Sequence, residues 1–201
     1  MFDQVILERE FFEMLVREDE AITGLVAAEG CSECDGPLHR GDYDRKPRGG
    51  LFAAAGEEFV RRFSLCCGRE GCRKRATPPS VRFLGRRIYL GAVVILASLV
   101  AHAIEVAEMV GAATKIRAAT GVPARTTRRW LAWWRGPFLS TEVFVAIRAR
   151  LIGVEVDRLP ASIFDRLPGT RAEQVRMLVT LLAPTSTVSV PDGSRFVRGV
   201  G

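Results

Sequence analysis

The sequence predicts a mainly α-helical chain in which a small β element, pinned by cysteines, lies between an N-terminal helix and a helical bundle. Three observations predict it. Apolar residues recur at three- and four-residue steps near both ends of the chain, and between them Ile88 to Ala101 form one apolar run broken only by Ser98. All five cysteines fall between Cys31 and Cys72, in a stretch with many turn-forming Gly and Pro residues. Charge is segregated: residues 1–30 hold eight acids and two arginines, residues 61–90 nine Lys/Arg and one acid, and residues 111–135 six Lys/Arg and no acid. With 201 residues, 48% hydrophobic and 26% charged, the chain can fold as two coupled units and is not a disordered polyelectrolyte. A net charge of +6, concentrated in two segments, points to a polyanionic partner.

Residues 1–30 form the first unit, an acidic amphipathic helix over about 3–28 with a break near Gly24. Val5, Ile6, Phe12, Leu15, Val16, Ile22, Leu25 and Val26 supply the apolar row, and Asp3 is placed to cap it. Glu8, Glu10, Glu13, Glu18, Asp19 and Glu20 leave the remaining surface acidic, either simply solvated or covering arginines elsewhere. The acids after Met1-Phe2-Asp3 do not suit a secretory leader, so the expected compartment is cytoplasmic with reduced thiols. Reduced cysteines point to metal ligation before disulfides.

Residues 31–80 form the second unit. Cys31-Ser32-Glu33-Cys34 is the type of turn that aims two sulfurs at one ion, and Zn2+ is the expected metal. Adjacent residues of a strand point to opposite faces, so Cys66 and Cys67 should not share the ion. Gly68 and Gly71 make the segment from Cys67 to Cys72 a flexible knuckle, so the predicted ligands are Cys31, Cys34, Cys67 and Cys72, with Cys66 or His39 as the alternative for one of them. Cys66 is then expected to face a small core behind a strand over Val60 to Cys66. Arg40 to Gly56 reads as a loop carrying Arg45, Lys46 and Arg48, either an arm that orders on phosphate or a solvated insertion. Arg73, Lys74, Arg75, Arg82, Arg86 and Arg87 make a basic stripe suited to phosphate, with Ser80 placed to cap the next helix.

Residues 81–136 form a helical core with a helix-turn-helix. Fourteen residues, all apolar but Ser98, precede His102 and Glu105, short of the roughly 20 that a membrane span requires, so Ile88 to Ile104 reads as a buried bundle helix. His102 on it reads as a core or boundary histidine. Glu105 to Ala119 is the expected supporting helix, Thr120 to Pro123 the turn, and Ala124 to Arg135 the recognition helix, with Gly121 at a left-handed position and Val122 as the plug. On a helical wheel Thr127, Trp130, Leu131 and Trp134 share one face, while Arg125, Arg128, Arg129 and Arg135 gather opposite. Arg125, Arg128 and Arg129 are the candidates for groove or base contacts, and Arg135, Lys115 and Arg117 for phosphate. Trp133 lies between the faces.

Residues 137–184 read as further helices, Ser140 to Leu151, Ala161 to Arg166 and Thr170 to Leu182, capped by Ser140 and Thr170 and forming a bundle or dimer surface. Residues 185–201 read as a flexible tail.

The stretches SLCCGREGCRKRATPPSVRFLGRRIYL, following CxxC, and GVPARTTRRWLAWWR together resemble the zinc-ribbon plus helix-turn-helix proteins of bacterial transposons and integrative elements over about residues 28–135. The resemblance implies zinc at the four predicted cysteines, DNA contact from the recognition-helix arginines, and a regulatory or targeting role without enzymatic activity. No acidic, strand-rich catalytic core follows, and Tyr43 and Tyr89, the two tyrosines, lie near the ribbon rather than in a recombinase setting. Two other readings compete. One is an assembly protein that binds RNA or DNA without sequence preference and recruits a protein partner or second copy through its C-terminal helices; the other is a thiol redox sensor using Cys66 or Cys67 beside Arg69 and Arg73.

Overall fold

The apolar run becomes a helix buried on every side: in α2, Gly91–Ala107, all residues from Gly91 to His102 are buried. A helix with no polar face belongs at the centre of a core, and α2 packs against α3, Ala124–Arg135, and α6, Arg171–Leu182. The computed structural model describes residues 9–45, 59–84, 89–107, 118, 121–186 and 189. Among these, no helix is long and apolar enough to cross a membrane. The architecture is mainly α with a small antiparallel sheet.

The N-terminal helix α1, Arg9–Glu29, buries Phe11, Phe12, Leu15, Ile22 and Val26. It runs unbroken through Gly24, where a break was expected. An interior glycine costs a helix about 1 kcal/mol, less than the buried apolar row contributes. Leu25, expected in that row, is 55% exposed, and Asp19, expected on the acidic surface, is buried. Asp3, Val5 and Ile6 lie outside the described residues.

Five short strands follow: β1 Leu38–Arg40, β2 Tyr43–Asp44, β3 Arg61–Arg62, β4 Leu65–Cys67 and β5 Arg75–Ala76. They pair antiparallel as a three-stranded sheet, β1-β4-β5, and a separate hairpin-like pair, β2-β3. The expected strand from Val60 to Cys66 is thus divided between two sheets, and Arg40, Tyr43 and Asp44, expected in a loop, are strand residues. Leu65 and Ala76 point into the same core as α1 and α2, so ribbon and bundle share one apolar interior.

In α3 the buried residues are Thr126, Thr127, Trp130, Leu131 and Trp134. Trp130 meets Tyr89 edge-on at 5.0 Å and Trp134 meets Phe138 at 4.7 Å. Beyond a 3-10 turn at Pro137–Ser140 come α4, Glu142–Arg150, and α5, Ala161–Phe164, before α6. Thr141 caps α4, its hydroxyl accepting from the Phe144 amide, so Ser140 is not the cap. Thr170 caps α6 in a reciprocal capping box with Glu173. Val145 on α4 is 65% exposed. The tail does not leave the fold at Pro184: Ser186 is buried and its hydroxyl accepts from the Ser80 amide, while the Ser189 hydroxyl accepts from the Thr77 amide.

Candidate functional site

Two backbone turns bring four sulfurs together. In the first, the Cys31 carbonyl accepts from the amides of Cys34 at 3.3 Å and Asp35 at 2.8 Å, and Asp35 takes φ of 55° so that the chain doubles back. In the second, β4 ends at Cys67, Gly71 adopts φ of 83° and Arg73 φ of 48°, and the Cys72 amide donates to the Arg69 carbonyl. That longer turn lets Cys72 swing back over Cys67 despite four intervening residues. Pairing of β1 with β4, together with a Gly68 amide to Pro37 carbonyl bond of 2.9 Å, sets the turns side by side.

The four Sγ atoms of Cys31, Cys34, Cys67 and Cys72 all lie within 4.8 Å of one another. Cys31 and Cys72 are 3.7 Å apart, Cys34 and Cys67 3.5 Å. A tetrahedral ion at about 2.3 Å from each sulfur would set such edges near ~3.8 Å, so the donor set and spacing suit a thiolate-bound metal ion. Gly36 closes the site tightly: a Cβ there would come 3.1 Å from the Cys67 sulfur and 3.3 Å from the Cys34 sulfur.

The electrostatics also call for a cation. A hydrogen bond from the Gly36 amide, with help from neighbouring thiols, pulls Cys34 down to about 7. The Arg69 amide favours the Cys67 thiolate, but burial and the adjoining Cys34, Cys72 and Cys31 outweigh it and push Cys67 up to about 12. Cys72 is also raised: the Lys74 amide lowers it, but Cys34, burial and Cys31 prevail. Four crowded thiols therefore cannot all ionise by themselves, whereas a divalent ion at their centre would deprotonate them together.

Cys66 and His39 stand outside this set. Cys66 is half-buried on the face opposite Cys67, its thiol directed to the Arg73 carbonyl at 3.4 Å, and does not enter the small core where it was expected. Strand alternation gives the inward positions to Leu65 and Cys67. His39 is exposed, with its ring against Gly68.

Arg82, predicted on the phosphate-binding stripe, is the clearest correction. Its side chain is fully buried and its Nε donates to Asp19 at 2.8 Å. Asp19 also accepts from the Ser80 hydroxyl at 2.6 Å and the Val81 amide at 2.7 Å, and the Arg82 Nη1 donates to the Phe59 carbonyl. Ser80 thus belongs to this cluster instead of capping a helix. Arg62 is buried beside it, donating to the Phe63 and Pro78 carbonyls, and burial lowers its pKa against the opposing pull of Asp19. The cluster ties the segment that leaves the ribbon after β5 to α1.

Arg73, Lys74 and Arg75 are exposed. Lys74 pairs with Glu33 at 3.1 Å across the two cysteine turns, and Arg75 donates to the Gly41 carbonyl and the Ser64 hydroxyl. Arg86, Arg87, Lys115 and Arg117 lie outside the described residues, as does most of the expected supporting helix. Glu105 belongs to the end of α2.

No protein-family model, curated protein or solved structure matches the chain. Its chemistry has to be read from its own residues.

On α3, Arg125, Arg128, Arg129 and Arg135 are all exposed, opposite the buried Trp130 and Trp134. Val122 is buried at the foot of the helix and Gly121 takes φ of 65°. Trp133 is half-buried and packs on Trp134 and Phe138 at 5.0 Å each. Sequence reasoning missed the Asp19–Arg82 pair and the docking of Ser186 and Ser189. Both join residues more than 60 positions apart, and neither leaves a local signal.

Proposed function

We propose that this is a zinc-containing, non-enzymatic DNA-binding protein of the cytoplasm in which the metal staples the ribbon and α3 reads the major groove. The observation that carries the proposal is α3 itself: one face is sealed by two tryptophans, and the other offers Arg125, Arg128 and Arg129, with no acid within ion-pair distance of them among the described residues. A helix fixed on one side, with free guanidinium groups on the other, has the form that reaches guanine O6 and N7. The turn at Gly121 and Val122 supports a helix-turn-helix arrangement. The four-sulfur donor set favours zinc, whose role here is structural because all four positions are filled by protein. A regulator or targeting subunit of a mobile genetic element is the setting to which the motifs' resemblance points.

The test is binding of the metal-loaded chain to duplex DNA across a salt series, comparing wild type with Arg128→Ala. Specific binding should weaken by about 1–3 kcal/mol at one base position and lose discrimination there. The segregated positive charge favours one alternative, an assembly protein that holds nucleic acid without sequence preference. Its binding would follow salt alone and ignore a base-mismatch series.

A further inference from the structure

The ribbon carries a second surface whose chemistry differs from that of α3. Register across β1-β4-β5 pairs His39 with Cys66 and Cys66 with Arg75. Directly opposed residues share a face, so these three form a row across the sheet, pointing away from the inward Leu65, Cys67 and Ala76. Strands about 4.8 Å apart make that row about 10 Å long.

Its ends are planar groups held in place. The His39 ring lies so close to Gly68 that a Cβ there would be 2.5 Å from it, which leaves the exposed imidazole braced against backbone. Arg75 is fixed by its bonds to Gly41 and Ser64, and its guanidinium sits 5.7 Å from the ring of half-buried Tyr43. The same ring has Arg45 at 5.9 Å. In the turn between β4 and β5, Arg69 and Arg73 are exposed, and neither forms an ion pair with an acid among the described residues. Three of the ribbon's acids are engaged elsewhere, Asp42 with Arg40, Asp44 with Arg61 and Glu33 with Lys74, while Asp35 and Glu70 are exposed and pair with neither arginine.

Flat π groups beside uncommitted cations suit a strand whose bases are free. Imidazole, phenol and guanidinium planes stack on exposed bases while the cations follow the phosphates. A duplex keeps its base faces inside the stack and would leave those planes without partners. We propose that this face of the ribbon, made of His39 and Arg75 on the three-stranded sheet, Tyr43 of the β2-β3 pair and Arg69 and Arg73 of the turn between β4 and β5, binds an unpaired polynucleotide strand. The site is separate from α3 and does not depend on the duplex reading.

The experiment uses the full metal-loaded chain and fluorescein-labelled dT15, rU15 and a 15-base-pair duplex, followed by anisotropy over a salt series. Wild type should bind dT15, rU15 or both, and the stronger of the two identifies the sugar. R69A/R73A should flatten the single-strand salt slope by about 1.4, two phosphates' worth. H39A should weaken single-strand binding about tenfold at every salt concentration with the slope unchanged. Metal content and helical circular dichroism serve as folding controls for both variants. R125A/R128A/R129A should abolish duplex binding and leave the single strand bound. Failure of wild type to bind either oligonucleotide overturns the proposal. So does single-strand binding that survives H39A and R69A/R73A but disappears with the α3 variant. Failure of wild type to bind the duplex while it binds a single strand would count against the reading of α3 and leave this surface standing.

Discussion

The ribbon and the bundle are secured by different means. Around α2 the bundle is held by apolar contact on all sides, with Trp134, Phe138, Ile147, Leu178 and Leu182 almost fully removed from water. The ribbon's strands are two or three residues long and too short to be stable alone, and what they bury includes Asp19, Arg62, Arg82, Ser64 and Ser80. Its order depends on directed bonds: four sulfurs at one point, and a carboxylate accepting three hydrogen bonds. Apolar contact tolerates gradual change, whereas directed bonds fail when one partner is withdrawn. The two halves should therefore respond differently to the same insult.

Metal removal should give the largest effect. Structural zinc supplies roughly 10–16 kcal/mol of apparent binding free energy to small modules, so a strong chelator or Cys67→Ser should abolish hydrogen-exchange protection over β1, β4 and β5 while α2 and α6 keep theirs. A single cooperative loss of both regions would show that the contrast is wrong. Protons compete with the metal for the same sulfurs. With Cys34 at about 7 and Cys67 at about 12, metal affinity should fall as pH is lowered through neutrality, as a cobalt charge-transfer titration would record.

Next comes Asp19→Ala, which strands the Arg82 guanidinium in the interior and should destabilise the protein by about 3–5 kcal/mol in urea unfolding. Replacing both residues with apolar ones should recover much of that loss, as expected when the penalty lies in an uncompensated charge. Leu178→Ala in α6 should cost about 2–5 kcal/mol and leave metal content unchanged, since its side chain is buried on the bundle side.

The smallest effect belongs to Thr170→Ala, about 1 kcal/mol from the lost cap of α6, measured by thermal unfolding. The Thr170 amide, then its hydroxyl, lowers the pKa of Glu173. A lowered folded-state pKa means that this contribution is complete above the ordinary carboxylate range and disappears as pH falls through the lowered value. The acid limb of the stability curve should therefore be shallower in the variant.

What could be read from the sequence follows the same division. The wheel of α3 separated Trp130 and Trp134 from Arg125, Arg128 and Arg129 because helical periodicity is local. Thr170 was legible as the cap of α6, and the structure adds the reciprocal bond from Glu173. The CxxC turn, strand alternation, Gly68 and Gly71 pointed to the four cysteines that the fold gathers, even across the 32 residues between Cys34 and Cys67. Arg82 was misplaced because its neighbours in sequence are basic, whereas its neighbour in space is an aspartate from an acidic helix. An arginine's surroundings are set by tertiary partners that periodicity does not encode. Gly24 misled in the opposite direction, since a local breaker was overruled by the packing of residues on either side of it.

The hydroxyls of Ser186 and Ser189 hold the amides of Ser80 and Thr77, groups 106 and 112 positions earlier in the chain. During synthesis the segment that leaves the ribbon after β5 therefore emerges long before the residues that complete it. Metal capture by the cysteines can come first, but the clamp between ribbon and bundle has to wait for nearly the last of the described chain. The bonds from Ser186 and Ser189 are thus among the last that the described chain can make, and the segment they close stays open until then.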